Sequence, residues 1–600
     1  VNVKMQIQKR YISKYLGSHG PKSSRPLFLP KHLHGMEIVS DPIFNKGSAF
    51  PQRERDRFNL RGLLPPVVCD IDVQADRQYK GFHRAGQTAK VDVEAGRKEN
   101  VVAKYMWMTQ LQDRNETLFY RVLVDHIEEM APIIYTPTIG VACQKAGSIF
   151  RKSRGLYFSG HDDLGDMHAI VQNWPQDEVD VIVVTDGSRI LGLGDLGAHG
   201  MAIPVGKLSL YVAGAGIDPQ KTLPVMIDVG TENEKLLADP LYLGVRKRRL
   251  CGEPYLQVLD QVMDALHQRW PKALIQFEDF ANPNADLLLD RYRRRFAMFN
   301  DDIQGTGTMC LAGIIAALKV RGLSSDELPS TKVVCLGGGS AGIGVCRALS
   351  EGMREEGMTQ NEACQNFWVV DADGLVASSR AGKLTPGQVA FARHDLPDGM
   401  PLAEVIKNVK PDVLLGLSGA GGAFTPEVLQ AMASGCDRPI VFPMSNPTSN
   451  SECTAEEAYI HTNGTVIFAS GSPFNNVTDD SGKLAMFASQ ANNVFIFPGL
   501  GLGVVATRSR GISRGMLYAA ANSLANQLTA SEVNEGRVFP RIANIRKVSR
   551  AIATAVARQA VAENLHTVMF DKNEYRSWGD YIDQLMWEPV YRPLVYQNVY

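Results

Sequence analysis

The segment from Lys332 to Gly344 limits the folds open to this chain more than any other. A β-rich run, Lys332–Leu336, leads into Gly337-Gly338-Gly339-Ser340-Ala341-Gly342-Ile343-Gly344 and then into a helical stretch. In that order, strand, glycine turn and helix open a βαβ unit whose backbone can approach a pyrophosphate, with free N–H groups at the helix start. Tight strand-to-helix turns also use glycine for structural reasons, so the context must carry the reading. It does, because predicted strands Phe367–Asp371, Val413–Leu417, Ile440–Met444 and Val466–Ala469 follow at βαβ spacing. Gly337, Gly339, Ser340, Ala341 and Gly342 are the predicted dinucleotide contacts. Asp371 closes the next strand, where an acid binds the adenosine ribose hydroxyls. It lies 34 residues beyond Gly337, further than the usual ~20, so a longer helix must fill the gap. The run Asp371-Ala372-Asp373-Gly374 offers a second acid and no cation to a 2′-phosphate, which favours NAD over NADP. Arg380 and Lys383 follow closely and could offset this.

The rest of the chain is built around this unit. Val179–Thr185, Val225–Val229 and Ala273–Phe277 read as buried parallel strands, each ending in polar or acidic residues where α/β sheets place their ligand loops. Val101–Met130 carries apolar residues at helical spacing, with Asn115 and Glu116 on a polar face, until Pro132 and Pro137 break it. The predicted class is α/β, with a Rossmann-type NAD-binding domain over 301–492 and a second α/β substrate and metal domain over 154–300 and 493–565. A mainly helical N-terminal domain occupies 1–153, helical character returns toward the C-terminus, and 566–600 reads as an extended tail. The 600 residues exceed the ~250–300 at which single cores stop growing, so several domains are expected.

Composition removes some classes of function. A formal net charge of -1 gives no pull toward nucleic acid or an anionic membrane, and no apolar run reaches the ~18 residues of a membrane span. Nine scattered cysteines without C-x-x-C fit free thiols in a reducing compartment. Before Glu37 the chain has Lys4, Lys9, Arg10, Lys14, Lys22, Arg25 and Lys31 and no acid. Such a leader resembles an organellar transit segment or its remnant; a basic arm used in subunit contacts is the alternative.

Two acidic pairs, Glu278-Asp279 and Asp301-Asp302, precede the glycine loop. Carboxylate oxygens can replace part of the hydration shell of a hard divalent cation; helix caps or surface charges are the plainer use. Tyr135 sits in a proline-bracketed turn that suits a proton-donating phenol or a packed ring. Arg189 follows a strand and can grip a carboxylate bidentately or form a salt bridge. Lys207 lies in an apolar stretch, where burial would make it a general base unless it snorkels to the surface.

Taken together, the motifs resemble the malic enzymes, closest to the mitochondrial NAD type of plants. The strings are Tyr135-Thr136-Pro137-Thr138, Val184–Asp195, Gln276-Phe277-Glu278-Asp279-Phe280, Phe299–Thr306, Ser445-Asn446-Pro447-Thr448, Phe468–Phe474 and Asn492-Asn493, with the ending Met586–Tyr596. The resemblance spans about Phe44 to Glu563. It implies oxidative decarboxylation of (S)-malate to pyruvate and CO2 with NAD and Mn2+ or Mg2+, in a cleft between the substrate and nucleotide domains. It also implies roles: Glu278, Asp279 and Asp302 hold the metal, Lys207 takes the C2 hydroxyl proton, Tyr135 protonates C3, and Asp301 orients the Lys207–Tyr135 pair. Arg189 would bind the C1 carboxylate, while Asn446 and Asn493 would contact substrate and the nicotinamide end.

The expected assembly is a homo- or hetero-oligomer, dimer or tetramer, in the mitochondrial matrix, with plastid or cytoplasm as alternatives. Plain malate dehydrogenation leaves the acidic cluster and Tyr135 without a purpose. The alternative from another class is a nucleotide-binding regulatory subunit of a hetero-oligomeric malic enzyme. Gly338 and Gly342 stand where many relatives have alanine, and Arg55 and Arg77 resemble arginines of a dicarboxylate activator site in sequence surroundings that differ.

Overall fold

The computed structural model describes residues 25–88, 100–380 and 382–597. The basic residues of the leader up to Lys22, and Tyr600 of the tail, lie outside the described residues. The chain forms two compact units. One comprises Val1–Arg154, Phe570–Ser577 and Gln584–Tyr600, the other Gly155–Met569 and Trp578–Asp583.

The first unit is mainly helical. The stretch read as one long helix is broken at Asn115 and His126, giving Val101–Arg114, Glu116–Asp125 and Ile127–Ile134, and the last of these runs through Pro132, where a break was expected. Asn115 does not face solvent; its side chain caps the second helix by accepting from Leu118 N–H. Its amide also donates to Tyr591 Oη at 2.8 Å, and that hydroxyl donates to Gln74 at 2.7 Å. Strand Leu27–Leu29 pairs in parallel with Leu594–Tyr596. The tail expected to be extended also contains helix Trp578–Leu585, most of which (Trp578–Asp583) belongs to the second unit; Trp578 and Ile582, four residues apart, share its buried face. Arg55 is buried, and its guanidinium donates to the carbonyls of Phe50, Pro65, Ser48 and Val67 at 2.7–3.0 Å. Those donors are committed to stapling the 48–67 segment rather than offered to a dicarboxylate.

The second unit holds two parallel sheets. Strands β1 (Leu156–Ser159), β2 (Val181–Thr185), β3 (Thr222–Asp228), β4 (Leu274–Phe277) and β5 (Met298–Asn300) lie in the order β1-β3-β2-β4-β5. Helices cover both faces, which is why Val181–Val184 reads as an unbroken apolar run, each residue 0% exposed. The second sheet comprises β6 (Val333–Leu336), β7 (Phe367–Asp371), β8 (Gly374–Leu375), β9 (Val413–Gly416), β10 (Ile440–Pro443), β11 (Ile467–Ser470) and β12 (Ser489–Gln490). Their order is β12-β11-β10-β9-β6-β7-β8, with only β7–β8 antiparallel. The order reverses at β6, and the crevice beyond the carboxyl ends at such a reversal is where α/β sheets bind ligands.

Six helices matter for the site: α1 (Ala202–Ala215), α2 (Thr306–Val320), α3 (Ser340–Glu355), α4 (Phe497–Thr507), α5 (Arg514–Ala525) and α6 (Ile545–Ala562). Contrary to the reading that no apolar run is long enough, Asp301–Val320 has the length and composition to cross a membrane; it is instead largely buried inside this unit, as a core helix is. Helix α4 carries glycine at alternate positions. A Cβ at Gly499 would stand 2.7 Å from Ile552 Cβ and one at Gly503 2.7 Å from Val556 Cβ, so α6 can approach only because these side chains are missing. Gly501 faces the opposite way, 2.5 Å from the Tyr211 ring of α1 by the same measure. The Gly503→Ala variant should therefore lose about 1–3 kcal/mol of stability through overpacking. Chemical denaturation of the variant and the parent protein measures this, and equal midpoints would contradict the packing account.

Candidate active site

Helix α1 is buried almost throughout, so its lysine needs partners inside the protein. Lys207 is 2% exposed and does not snorkel. Its ammonium lies 2.7 Å from Asp301 Oδ2 and 2.7 Å from Glu278 Oε1, with the Phe497 ring centroid 4.5 Å away. Three elements thus meet on one cation: α1, the end of β4, and the turn that follows β5.

That last turn, Asp301–Gly305, is one turn of π-helix running into α2, a local widening often found at functional positions. Gly305 is required there, since a Cβ would fall 1.9 Å from Asp301 Oδ1. This oxygen is buried without a hydrogen-bond partner. Asp301 Oδ2 also accepts from Asn493 Nδ2 at 3.1 Å, and Asn493 donates to Thr306 Oγ1 at 3.1 Å. The structure therefore brings Asn493 onto the Lys207–Asp301 pair.

Glu278 is set from its other side. Gln276 Nε2 donates to Glu278 Oε2 at 2.8 Å, and Tyr211 Oη donates to Gln276 Oε1 at 2.5 Å. The sequence reading passed over both residues, although alternation along β4 puts Gln276 and Glu278 on one face and would have signalled the first. Asp279 has φ +57°, a left-handed backbone that is strained for a non-glycine residue. It is held by its N–H donating to Asp302 Oδ2 at 2.8 Å and its carbonyl accepting from Arg189 N–H at 3.2 Å. Asp279 Oδ2 is buried and unpartnered.

Four carboxylates thus crowd around one lysine. Burial pushes the Glu278 carboxyl up to about 8, with Lys207 opposing and the charges of Asp302 and Asp301 reinforcing the rise. Burial first, then Asp302 and Glu278, raise Asp279 well above the carboxylate range, and burial also raises Asp302. An all-oxygen donor set with surplus buried negative charge and orphaned oxygens suits a hard divalent cation. Among the described residues no three acidic, imidazole or thiol groups form a ready-made ion cage. Glu278 is turned to Lys207, and Asp302 to the Asp279 N–H.

Arg189 sits on an exposed loop after β2 and donates to Asn282 Oδ1. The salt bridges of this loop fall to a different arginine, Arg249, which the sequence reading did not single out. It donates to Asp195 at 2.8 and 3.1 Å and to the Asp186 carbonyl at 3.0 Å. Asp186 in turn accepts from Ser188 Oγ at 2.5 Å and Tyr255 Oη at 2.9 Å, and Ser188 Oγ accepts from Ala281 N–H at 2.8 Å. The Arg189 loop and the Glu278-Asp279 turn are braced as one piece.

In the crevice of the second sheet, Gly337 has φ +137°, and a Cβ there would lie 2.6 Å from the Leu417 carbonyl. At Gly342 a Cβ would be 1.9 Å from the Gly337 carbonyl, so this turn is tighter than one that admits alanine. Gly339 precedes the first residue of α3, Ser340, and Ala341 and Gly342 follow in its first turn. Asp371 accepts from Asp373 N–H at 3.0 Å and from Arg380 Nη1 at 2.7 Å. Arg380 is further committed to Asp398 at 2.8 Å. Asn446, after β10, accepts from Ser472 Oγ at 2.8 Å. Tyr135 belongs to the first unit, where it caps helix Ile127–Ile134 and is largely buried.

The raised Glu278 has a measurable consequence. Between its ordinary value of 4.5 and about 8 the folded protein keeps a proton that the unfolded chain has lost. Its contribution to stability therefore declines as pH rises through that window. Without divalent ions, the melting temperature of the parent protein should fall more steeply with rising pH than that of Glu278→Gln. Thermal scans across that range check this, and parallel curves would contradict it.

The comparisons with known proteins come from sequence and from structure. The family "Malic enzyme, N-terminal domain" matches residues 112–293, and "Malic enzyme, NAD binding domain" matches residues 303–561. The chain is 48% identical over 580 residues to "NAD-dependent malic enzyme 2, mitochondrial" of Arabidopsis thaliana, covering 94% of each chain. It is 48% identical over 586 residues to "NAD-dependent malic enzyme, mitochondrial" of Solanum tuberosum, covering 94% of this chain and 93% of that one. The crystal structure of malic enzyme from Pyrococcus horikoshii Ot3 superposes with a TM-score of 0.51 at 25% identity, over 76% of this chain and 89% of that chain. Matches of this identity and length leave one assignment: the chain belongs to the malic enzyme family.

Proposed function

We propose that this chain is an NAD-dependent, decarboxylating malate dehydrogenase that converts (S)-malate to pyruvate and CO2 with Mn2+ or Mg2+. The observation that carries the reading is Lys207, buried on an apolar helix and held at 2.7 Å from both Glu278 and Asp301. A lysine so placed can take a proton from a bound hydroxyl and hand it on.

Lys207 accepts the C2 hydroxyl proton during oxidation at C2, for which NAD, when bound, would supply the hydride acceptor. Asp301, bonded to both Lys207 and Asn493, keeps the amine aimed. Arg189, on its braced loop, grips the C1 carboxylate. The bond from C3 to the second carboxyl then breaks, CO2 leaves, and C3 takes the proton back, with Tyr135 as its donor. Malate and NAD+ in, and pyruvate, CO2 and NADH out, balance in charge and protons.

Glu278, Asp279 and Asp302 are the residues that would hold the cation. What the cation would supply is polarisation of the substrate oxygen and stabilisation of negative charge as CO2 departs.

NAD is favoured over NADP because Arg380 is already spent on Asp371 and Asp398. With Asp373 beside them, that end of the crevice is left with surplus negative charge against a 2′-phosphate. Relatives named as mitochondrial support the matrix as the compartment, and an oligomer is the assembly we infer. The regulatory-subunit alternative gives no purpose to Lys207, Asp301 and Asn493 meeting in a buried site.

A steady-state assay of the purified chain with malate and Mn2+, run in parallel with NAD and NADP and with CO2 measured, tests the reading. NAD should be preferred in kcat/KM by about tenfold or more, the scale on which one unfavourable charge contact discriminates. The Lys207→Ala variant should lose roughly 100- to 10,000-fold in kcat while NADH titration gives an affinity close to the parent's. Malate oxidation at parental rates in that variant would mean that another group is the base.

A further inference from the structure

One buried charge in the nucleotide half of the unit is used by nothing described so far. Glu452 is 0% exposed and has no ion-pair partner among the described residues. A buried carboxylate without a cation is costly unless several donors converge on it, and here four do. Oε1 accepts from Ser418 N–H at 3.0 Å, Ser418 Oγ at 3.0 Å and Ser445 Oγ at 2.6 Å, and Oε2 accepts from Ser445 N–H at 3.4 Å. The chain makes room for it, since a Cβ at Gly416 would stand 2.5 Å from Glu452 Cδ.

The donors belong to two loops. Ser418 begins the glycine-rich stretch Ser418-Gly419-Ala420-Gly421-Gly422 after β9, and Ser445 precedes Asn446 after β10. Ser445 Oγ also accepts from Gly419 N–H at 2.9 Å, so the loops are bonded to each other through the groups Glu452 holds. Leu417, next to Ser418, is the residue on which Gly337 of the first glycine turn closes. One carboxylate therefore sets the β9 and β10 loops, which lie at the carboxyl ends of strands next to the order reversal.

We propose that Glu452 is the positioning residue of the dinucleotide crevice: its carboxylate fixes the Ser418–Gly422 loop and Asn446 in the arrangement that receives the nicotinamide half of NAD. This rests on the malate and NAD reading above, and its consequences are specific to one substrate. Of the residues placed around malate and the cation, Asn446 alone adjoins these bonds; Arg189, Lys207, Glu278, Asp279 and Asp302 belong to the first sheet and its flanking elements. A loss at Glu452 should therefore raise the KM for NAD by a clearly larger factor than the KM for malate.

The test is kinetic, on the full-length enzyme with Mn2+. The Glu452→Ala variant should raise the KM for NAD about tenfold, the scale set by losing hydrogen bonds to a charged acceptor. The Kd of NADH by fluorescence titration should rise with it, while the KM for malate stays within about twofold of the parent value. Glu452→Gln keeps one oxygen for the three short bonds and should fall between. If the alanine variant does not fold, Ser445→Ala carries the test, since it deletes the 2.6 Å bond from the opposite side and should raise the KM for NAD about threefold. An unchanged KM for NAD in a folded variant, or KM values for NAD and malate that rise together, would overturn the proposal. A parent enzyme that fails to reduce NAD with malate would instead overturn the functional reading, so the two failures are distinguishable.

Discussion

The ion cluster at Lys207 is the interaction on which the rest of the second unit depends. Taking a lysine to 2% exposure on an otherwise apolar helix costs several kcal/mol unless charged partners come with it. Asp301 and Glu278 come from different elements, and their convergence fixes α1, the end of β4 and the π-turn before α2 relative to one another. The partners outnumber the cation. Asp279, buried, and Asp302, half-buried, add two more carboxylates, and burial with the neighbouring acids pushes Glu278, Asp279 and Asp302 upward. A fold that concentrates unpaired acid in this way favours a second positive charge, which is what a divalent ion brings.

Carboxylates also fix the loops around the site, and they do so in three ways. Asp186 and Asp195 are held with Arg249, so the loop bearing Arg189 moves with the Asp279 turn. Asp371 is tied to Arg380 and so keeps a defined position beside the glycine turn. Glu452 has no cation and relies on hydroxyl and N–H donors alone. The first two arrangements each hold one arginine between two acids. The third draws its donors from two loops, so it holds only while both loops are ordered together.

Much of this was legible in the chain because it obeyed local rules. The continuous Val/Ile runs became buried parallel strands, and the glycine turn after Leu336 became the start of α3. The acidic pairs could be picked out as pairs, yet nothing in their spacing told which oxygens would face Lys207 and which would remain orphaned. Asn115 misled because its polarity fits an exposed helix face as well as a cap; only its bond to Leu118 N–H decides. The tail misled because prolines and tyrosines at its end outweighed the buried spacing of Trp578 and Ile582. Gln276 could have been found from strand alternation with Glu278. Arg249, Tyr211 and Glu452 could not, because each works through a partner distant in sequence, such as Glu452 with Ser418 34 residues away, and periodicity does not report such pairs.

The return of the chain after residue 492 shows how far such distant pairing reaches. Helix α4 can lie against α1 only because Gly501 leaves space for the Tyr211 ring, which in turn donates to Gln276 and so orients Glu278. The same approach places Phe497 under the Lys207 ammonium and Asn493, just before α4, onto Asp301. Glycines that look like a packing convenience therefore determine the surroundings of the base, because a bulkier stripe would lift α4 and withdraw both contacts at once. Geometry at Lys207 is thus set as much by missing side chains on α4 as by the charges that surround it.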